Sequence, residues 1–83
     1  MGFESFIFVN VTGDHTKSAY KTIARIEGVK AVFMVTGIYD IIVQVAARDM
    51  AHLGESILPN LRAIDGITRT VTCLVLPPPT AHL

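Results

Sequence analysis

Two apolar, β-branched runs, residues 29–36 (VKAVFMVT) and 38–45 (IYDIIVQV), meet at Gly37 near the middle of the chain. Runs of this length and composition, broken by a single glycine, predict a β-hairpin. Upstream, residues 6–11 are apolar on both parities except at Asn10 and predict a first strand. Thr12, Gly13 and Asp14 supply turn chemistry, and Asp14 or Thr16 is placed to cap a helix through its side-chain oxygen. In that helix Ala19, Ile23 and Ile26 recur at helical spacing, while Lys17, Ser18, Lys21 and Arg25 fall on the other side. The pattern predicts about three one-sided turns, closed by Gly28. A second helix starts at Arg48 and Asp49, with Asp49 as N-cap, and buries Leu53, Ile57, Leu61 and Ile64. Pro59 removes one backbone donor and crowds the preceding turn, so a kink or break is expected near Leu58. Gly66 ends this helix, residues 68–76 (TRTVTCLVL) form the last strand, and Pro77, Pro78 and Pro79 stop it. Residues 77–83 are then a proline-rich tail without a core of its own.

The element order is β-α-β-β-α-β, and an internal echo supports it. Ile26-Glu27-Gly28-Val29 matches Ile64-Asp65-Gly66-Ile67, and each ends a helix and launches a strand. Two such halves joined by a hairpin, with right-handed crossovers, predict an α+β fold of the ferredoxin-like βαββαβ type. This is a four-stranded antiparallel sheet in the order 4-1-3-2 with both helices on one face, in a single domain over residues 1–83.

Strand parity separates the two sheet faces. Ile7, Val9 and Val11, Ile41, Val43 and Val45, and Val71, Cys73 and Val75 form a uniformly apolar set suited to the helix side. Phe6, Phe8 and Asn10, Asp40, Ile42 and Gln44, and Thr70, Thr72, Leu74 and Leu76 form a mixed set for the other face. The second strand reads the same on either parity. A monomer would leave the mixed face open as a large apolar patch. Stacking on the same face of a second copy would cover it as an isologous interface. A loop or the tail is the alternative cover, and the tail is too short to do it alone.

Composition sharpens that expectation. Eighty-three residues make one small domain with a limited core, yet 51% of them are hydrophobic and only 17% charged. Net charge is zero, and the seven basic residues are scattered, so no stripe reads as a nucleic-acid footprint. The single Cys73 sits in an apolar run as a candidate buried side chain, and a reducing cytoplasm is expected. Neither a leader nor a run long enough to span a membrane is expected from these residues. His15, His52 and His82 lack metal-ligand spacing, and no Ser or Cys sits in a nucleophile motif. The glycines are spread as caps and turns rather than clustered as a phosphate loop. No cofactor or metal is expected, and no enzymatic activity.

The one compact polar group inside an apolar stretch is Thr36, Gly37, Tyr39 and Asp40. Asp40 could take a ligand ammonium group and the backbone N–H groups around Gly37 a carboxylate, with Thr70, Thr72 or Arg69 adding donors. That set suits a small zwitterion such as an amino acid. The alternative is that Asp40 only bonds turn amides and Tyr39 packs on a neighbour.

Three motifs in order resemble the effector domain of the Lrp/AsnC family, the RAM domain (regulation of amino acid metabolism). They are Ile26-Glu27-Gly28-Val29, the GxYD of Gly37-Ile38-Tyr39-Asp40 within residues 35–43, and Ile64-Asp65-Gly66-Ile67 running into residues 68–72. The resemblance covers residues 6–76. It implies a dimeric α+β barrel type of association through a face holding Phe6, Phe8, Asn10, Ile42, Gln44 and Leu74. It further implies assembly into octamers or similar rings, with amino-acid effectors bound between dimers. Carried over by position, the ligand-binding residues are Thr36, Gly37, Tyr39, Asp40, Thr70 and Thr72. Full-length members carry a helix-turn-helix, for which residues 1–83 leave no room, so the expectation is a stand-alone RAM protein. Such a protein would bind no nucleic acid directly and would modulate a full-length regulator by mixed assembly. The competing readings are a small cofactor-free monooxygenase or isomerase on the same architecture, and a purely structural oligomer.

Overall fold

The strand at residues 3–11 runs down the middle of the sheet with hydrogen-bonded neighbours on both sides, in a computed structural model that describes residues 2–79. This strand, β1 (Phe3–Val11), is followed by a short 3-10 turn (Gly13–His15) and α1 (Thr16–Ile23). Strands β2 (Val29–Met34) and β3 (Ile41–Ala47) follow, then a π-helical segment (His52–Ile57) that continues into α2 (Leu58–Arg62), and β4 (Ile67–Leu74). The strand order is β2-β3-β1-β4, every neighbouring pair antiparallel, which is the expected ferredoxin-like order read from the other edge. Among the described residues no helix is long and apolar enough to cross a membrane.

The core lies between the sheet and the helices. Ile7 and Val9 of β1 and Ile41, Val43 and Val45 of β3 are completely buried. Ala19 and Ile23 of α1 and Leu53, Ile57 and Leu61 of the second helical region cover them. The alternation of β3, every second residue buried, is that of a sheet with one covered face. Ile57→Ala is expected to lower stability by about 2–5 kcal/mol, the cost of truncating a large aliphatic chain in a closed core. Urea unfolding of the two proteins measures it.

The helices differ from their sequence outline. The first α-helix spans eight residues, and neither Asp14 nor Thr16 caps it. Asp14 instead meets His15 Nδ1 at 3.0 Å, and Thr16 Oγ1 donates to Gly13 O. Asp49 does act as expected, accepting from His52 N–H at 2.8 Å. Pro59 produces neither break nor stop. The preceding turn widens, Leu58 N–H bonding Leu53 O five residues back, and the helix continues to Arg62. A π turn absorbs a lost donor without ending the helix.

The sheet faces need one larger correction. Residues directly opposite in an antiparallel pair share a face. On β4, Cys73 lies opposite Phe6 and Val71 opposite Phe8, while Thr72 lies opposite Ile7, Thr70 opposite Val9 and Leu74 opposite Ser5. Thr70, Thr72 and Leu74 are therefore on the helix side, not on the face with Phe6, Phe8, Asn10, Ile42 and Gln44. Cys73 is exposed rather than buried. On β2, Val32 lies opposite Val43 and belongs to the helix side, while Phe33 lies opposite Ile42 on the outer face. The outer face thus carries Phe33, Ile42, Phe6, Phe8, Val71 and Cys73, with Arg69 opposite Asn10 at its end. The tail residues 80–83, with His82, lie outside the described residues.

Candidate functional site

The strands of the central hairpin are shorter than their apolar runs. Strand β2 stops at Met34 and β3 starts at Ile41, leaving residues 35–40 as a connection across the end of the sheet. Asp40 organises it. Its N–H donates to Val9 O at 2.9 Å and its carbonyl accepts from Val35 N–H at 2.9 Å. Its carboxylate Oδ2 accepts from Val11 N–H at 2.8 Å. The β1–β4 register shifts between Asn10 and Val11, and β3 does not extend far enough to pair with Val11. The Asp40 side chain supplies the acceptor that the strand lacks. An acidic residue at the head of an Ile/Val strand is accounted for in this way, since a half-buried amide left unpaired is costly.

The rest of the connection folds over the outer face. Asn10 Nδ2 donates to Ile38 O at 2.7 Å. The Tyr39 ring packs on Phe8 with centroids 5.1 Å apart and planes inclined by 40°, a tilted aromatic pair of the usual separation. Tyr39 thus packs on a neighbour, while the expected bond from Asp40 to turn amides is not the one formed. The amide that Asp40 bonds belongs to β1 rather than to the turn. With Oδ2 engaged, an Asp40 carboxylate still has acceptor positions on Oδ1.

Across β1, the start of β4 meets the same end of the sheet. Thr12 N–H donates to Gly66 O at 2.8 Å, and Thr68 Oγ1 donates to Asn10 O at 3.3 Å. Arg62, Ile67, Thr68, Arg69 and Thr70 line an open cleft of about 270 Å³ beside them. Arg62 Nε reaches Thr70 Oγ1 at 3.5 Å, the limit of a hydrogen bond. Of the sequence-derived candidates, Tyr39 and Asp40 stand on the hairpin side of this end and Thr70 on the β4 side, with β1 between them. Thr36 and Gly37 are exposed in the connection. Thr72 lies further along β4, opposite Ile7, and is not among the cleft residues. The sequence does not single out Arg62 or Thr68. Arg62 follows the buried Leu61 on a helix and carries no motif, so only the docking of α2 against β4 reveals it.

His15 and His52 have structural partners. His52 is buried and its Nδ1 accepts from Arg48 N–H at 3.0 Å, which places its proton on Nε2. Among the described residues no three His, Cys, Asp or Glu side chains converge as a metal site.

A family model described as the Lrp/AsnC ligand binding domain matches residues 4–81. Homocitrate synthase from Sulfolobus acidocaldarius is 40% identical over 62 residues, which are 75% of this chain and 13% of that enzyme. The chain thus corresponds to a small part of the curated relatives it matches. The crystal structure of TTHA0845 from Thermus thermophilus superposes with a TM-score of 0.86 at 24% identity, covering 95% of this chain and 99% of that one. A transcriptional regulator from Neisseria meningitidis, solved as its L-Met complex, superposes with a TM-score of 0.79 at 20% identity, covering 95% of this chain and 53% of that one. These two structures share the fold.

Proposed function

Since the chain belongs to the Lrp/AsnC ligand-binding domain family, we propose that it binds a small amino-acid effector at the Asp40 end of its sheet and assembles through the outer sheet face, without catalysing a reaction. The observation that carries this reading is the Asp40 carboxylate, fixed on Val11 through one oxygen at the end of the sheet where the 35–40 connection and the β4 cleft gather. A carboxylate held rigid in this way is preorganised to accept an ammonium group. The L-Met in the Neisseria complex supports an amino acid as the ligand class. Sequences similar to this one occur within a biosynthetic enzyme, and its fold occurs within a transcriptional regulator. Sensing of a metabolite is a role that would suit both contexts. Under this reading the chain forms sheet-to-sheet dimers, assembles further into octamers or similar rings, and joins mixed assemblies with a full-length regulator of the family.

A thermal-shift screen of the twenty amino acids, followed by calorimetric titration, tests the ligand. At least one amino acid is expected to raise the melting temperature. Asp40→Asn retains an acceptor for Val11 N–H and is expected to fold normally. The lost charge on a desolvated contact, about 1.5–3 kcal/mol, weakens binding by about ten- to hundredfold. Asp40→Ala should lose the binding and also about 1–3 kcal/mol of stability, because the half-buried Val11 amide is stranded. A ligand that binds wild type and Asp40→Asn equally well would remove Asp40 from the site. A screen without any shift would leave a purely structural oligomer.

A further inference from the structure

Three of the seven basic residues, Lys17, Lys21 and Arg25, stand four positions apart, and all three are exposed. Lys17 and Lys21 lie on α1, and Arg25 continues the turn just past its end, its N–H bonding Thr22 O at 3.1 Å. Residues at this spacing share one ridge of a helix, with about 6 Å of rise between neighbours. Ala19 and Ile23, half a turn round from Lys17 and Lys21, are completely buried against the core. None of the three cations has a carboxylate within ion-pair distance among the described residues. The close contacts there are Lys30 with Glu4 at 3.6 Å, Arg48 with Glu27 at 2.9 Å and His15 with Asp14 at 3.0 Å. The hydroxyls beside the ridge are spent on their own backbone, Ser18 Oγ on His15 O and Thr22 Oγ1 on Ser18 O.

The helix by itself does not favour this arrangement. Like charges four residues apart on a helix repel each other. A cation in the first turn also opposes the helix dipole, and Lys17 stands there with no acidic residue in that turn. Lys21 lies in the last turn, where the dipole suits it. Lys17 is therefore the residue whose charge brings α1 no local gain. A glutamate in its place would suit both the dipole and Lys21.

We infer that this ridge is a docking surface for a short acidic segment of another protein, with carboxylates spaced along one face as these cations are. The inference goes beyond the effector-binding reading and does not depend on it. Charge complementarity selects the partner. Asp14 lies in the turn before the ridge and Glu27 in the turn after it, their side chains 92% and 80% exposed. A continuous polyanion such as nucleic acid would meet a carboxylate beyond either end of the ridge, whereas a short acidic segment meets the three cations and stops. The ridge also offers no ring on which a base could stack, since Tyr20, the aromatic residue of α1, packs on the core. The same ridge of a second copy is excluded as well, because it would set cation against cation.

Fluorescence anisotropy of the intact protein with a labelled helical peptide bearing three glutamates four residues apart tests the surface. That peptide is expected to bind about tenfold more tightly than its glutamine counterpart, the combined effect of three exposed ion pairs. Its binding should weaken as sodium chloride rises. Lys17→Glu is expected to weaken binding by about threefold or more. The same change should raise the melting temperature by a few degrees, because the new carboxylate suits the dipole and pairs with Lys21. A merely solvated ridge would show the gain in stability without the loss of binding. Glutamate and glutamine peptides bound equally well, no binding of either, or a Lys17→Glu protein that binds as wild type does would overturn the docking surface. Duplex DNA or phosphatidylserine vesicles bound as tightly as the glutamate peptide would overturn the choice of a protein partner.

Discussion

Under the proposed sheet-to-sheet assembly, Phe8→Glu is expected to yield a folded monomer. Phe8 stands on the outer face between Ile42 of β3 and Val71 of β4, with the Tyr39 ring against it. The residues on either side of it along the chain, Ile7 and Val9, carry the core and are unaffected by a change on the opposite face. In a sheet-to-sheet dimer position 8 is covered by the second copy, and a carboxylate there has no partner. Burying an ion without a partner costs on the order of several kcal/mol, twice over in a symmetric interface. At about 1.4 kcal/mol per factor of ten, that weakens association by several orders of magnitude. Light scattering behind a sizing column at micromolar concentration should show wild type as a dimer or larger and the variant at one chain. Cys73, opposite Phe6 on the same face, provides a second readout: its thiol should react slowly with a disulfide reagent in wild type and fast in the variant. A monomeric wild type would overturn the assembly reading.

Gly66→Ala is expected to destabilise the fold strongly. Gly66 has φ +91°, and a Cβ added there would lie 2.6 Å from His15 Cγ and closer still to His15 Cβ. Side chains at such φ cost about 1–2 kcal/mol by themselves, and the clash adds to this. The contact is with the root of the His15 side chain, so no rotamer change relieves it. The start of α1 must move, which strains the Thr12 N–H bond to Gly66 O. A total loss of about 3 kcal/mol or more is expected, a large share of the 5–15 kcal/mol typical of a domain. Gly28→Ala should cost less. Its φ is similar at +101°, but the added Cβ meets the tip of Ile57, Cδ1 at 2.8 Å, which can rotate away. Denaturant melts of the two variants measure the difference, and a Gly66→Ala protein within about 0.5 kcal/mol of wild type would refute this account.

These two glycines also show how far local sequence reaches. The repeated Ile-acid-Gly-apolar segment marks both places where a helix ends and a strand begins, because the required backbone conformation belongs to glycine. The element order, the 4-1-3-2 topology and the buried face of β1 and β3 follow from apolar runs and turn residues, which act over a few positions. Asp40 was legible as an anomaly: a charge at the head of an apolar strand needs a partner. Which partner it has was not legible, because Val11 lies 29 positions away and its amide is left for Asp40 only because β3 starts late, at Ile41.

The last strand divides what the sequence by itself determined from what the tertiary structure decided. In residues 70–74 both parities hold residues that tolerate either face, Thr70, Thr72 and Leu74 on one and Val71 and Cys73 on the other. Composition made this stretch a strand and left its two faces interchangeable. The choice came from the register against β1, Cys73 opposite Phe6 and Val71 opposite Phe8, set across a long connection and a register shift. A one-residue change of register exchanges every side chain between faces. That choice moved Thr70 to the helix side, within reach of Arg62, and gave Val71 and Cys73 to the outer face. The β4 side of the candidate site and the composition of the outer face were therefore decided together, by strand pairing rather than by any local pattern.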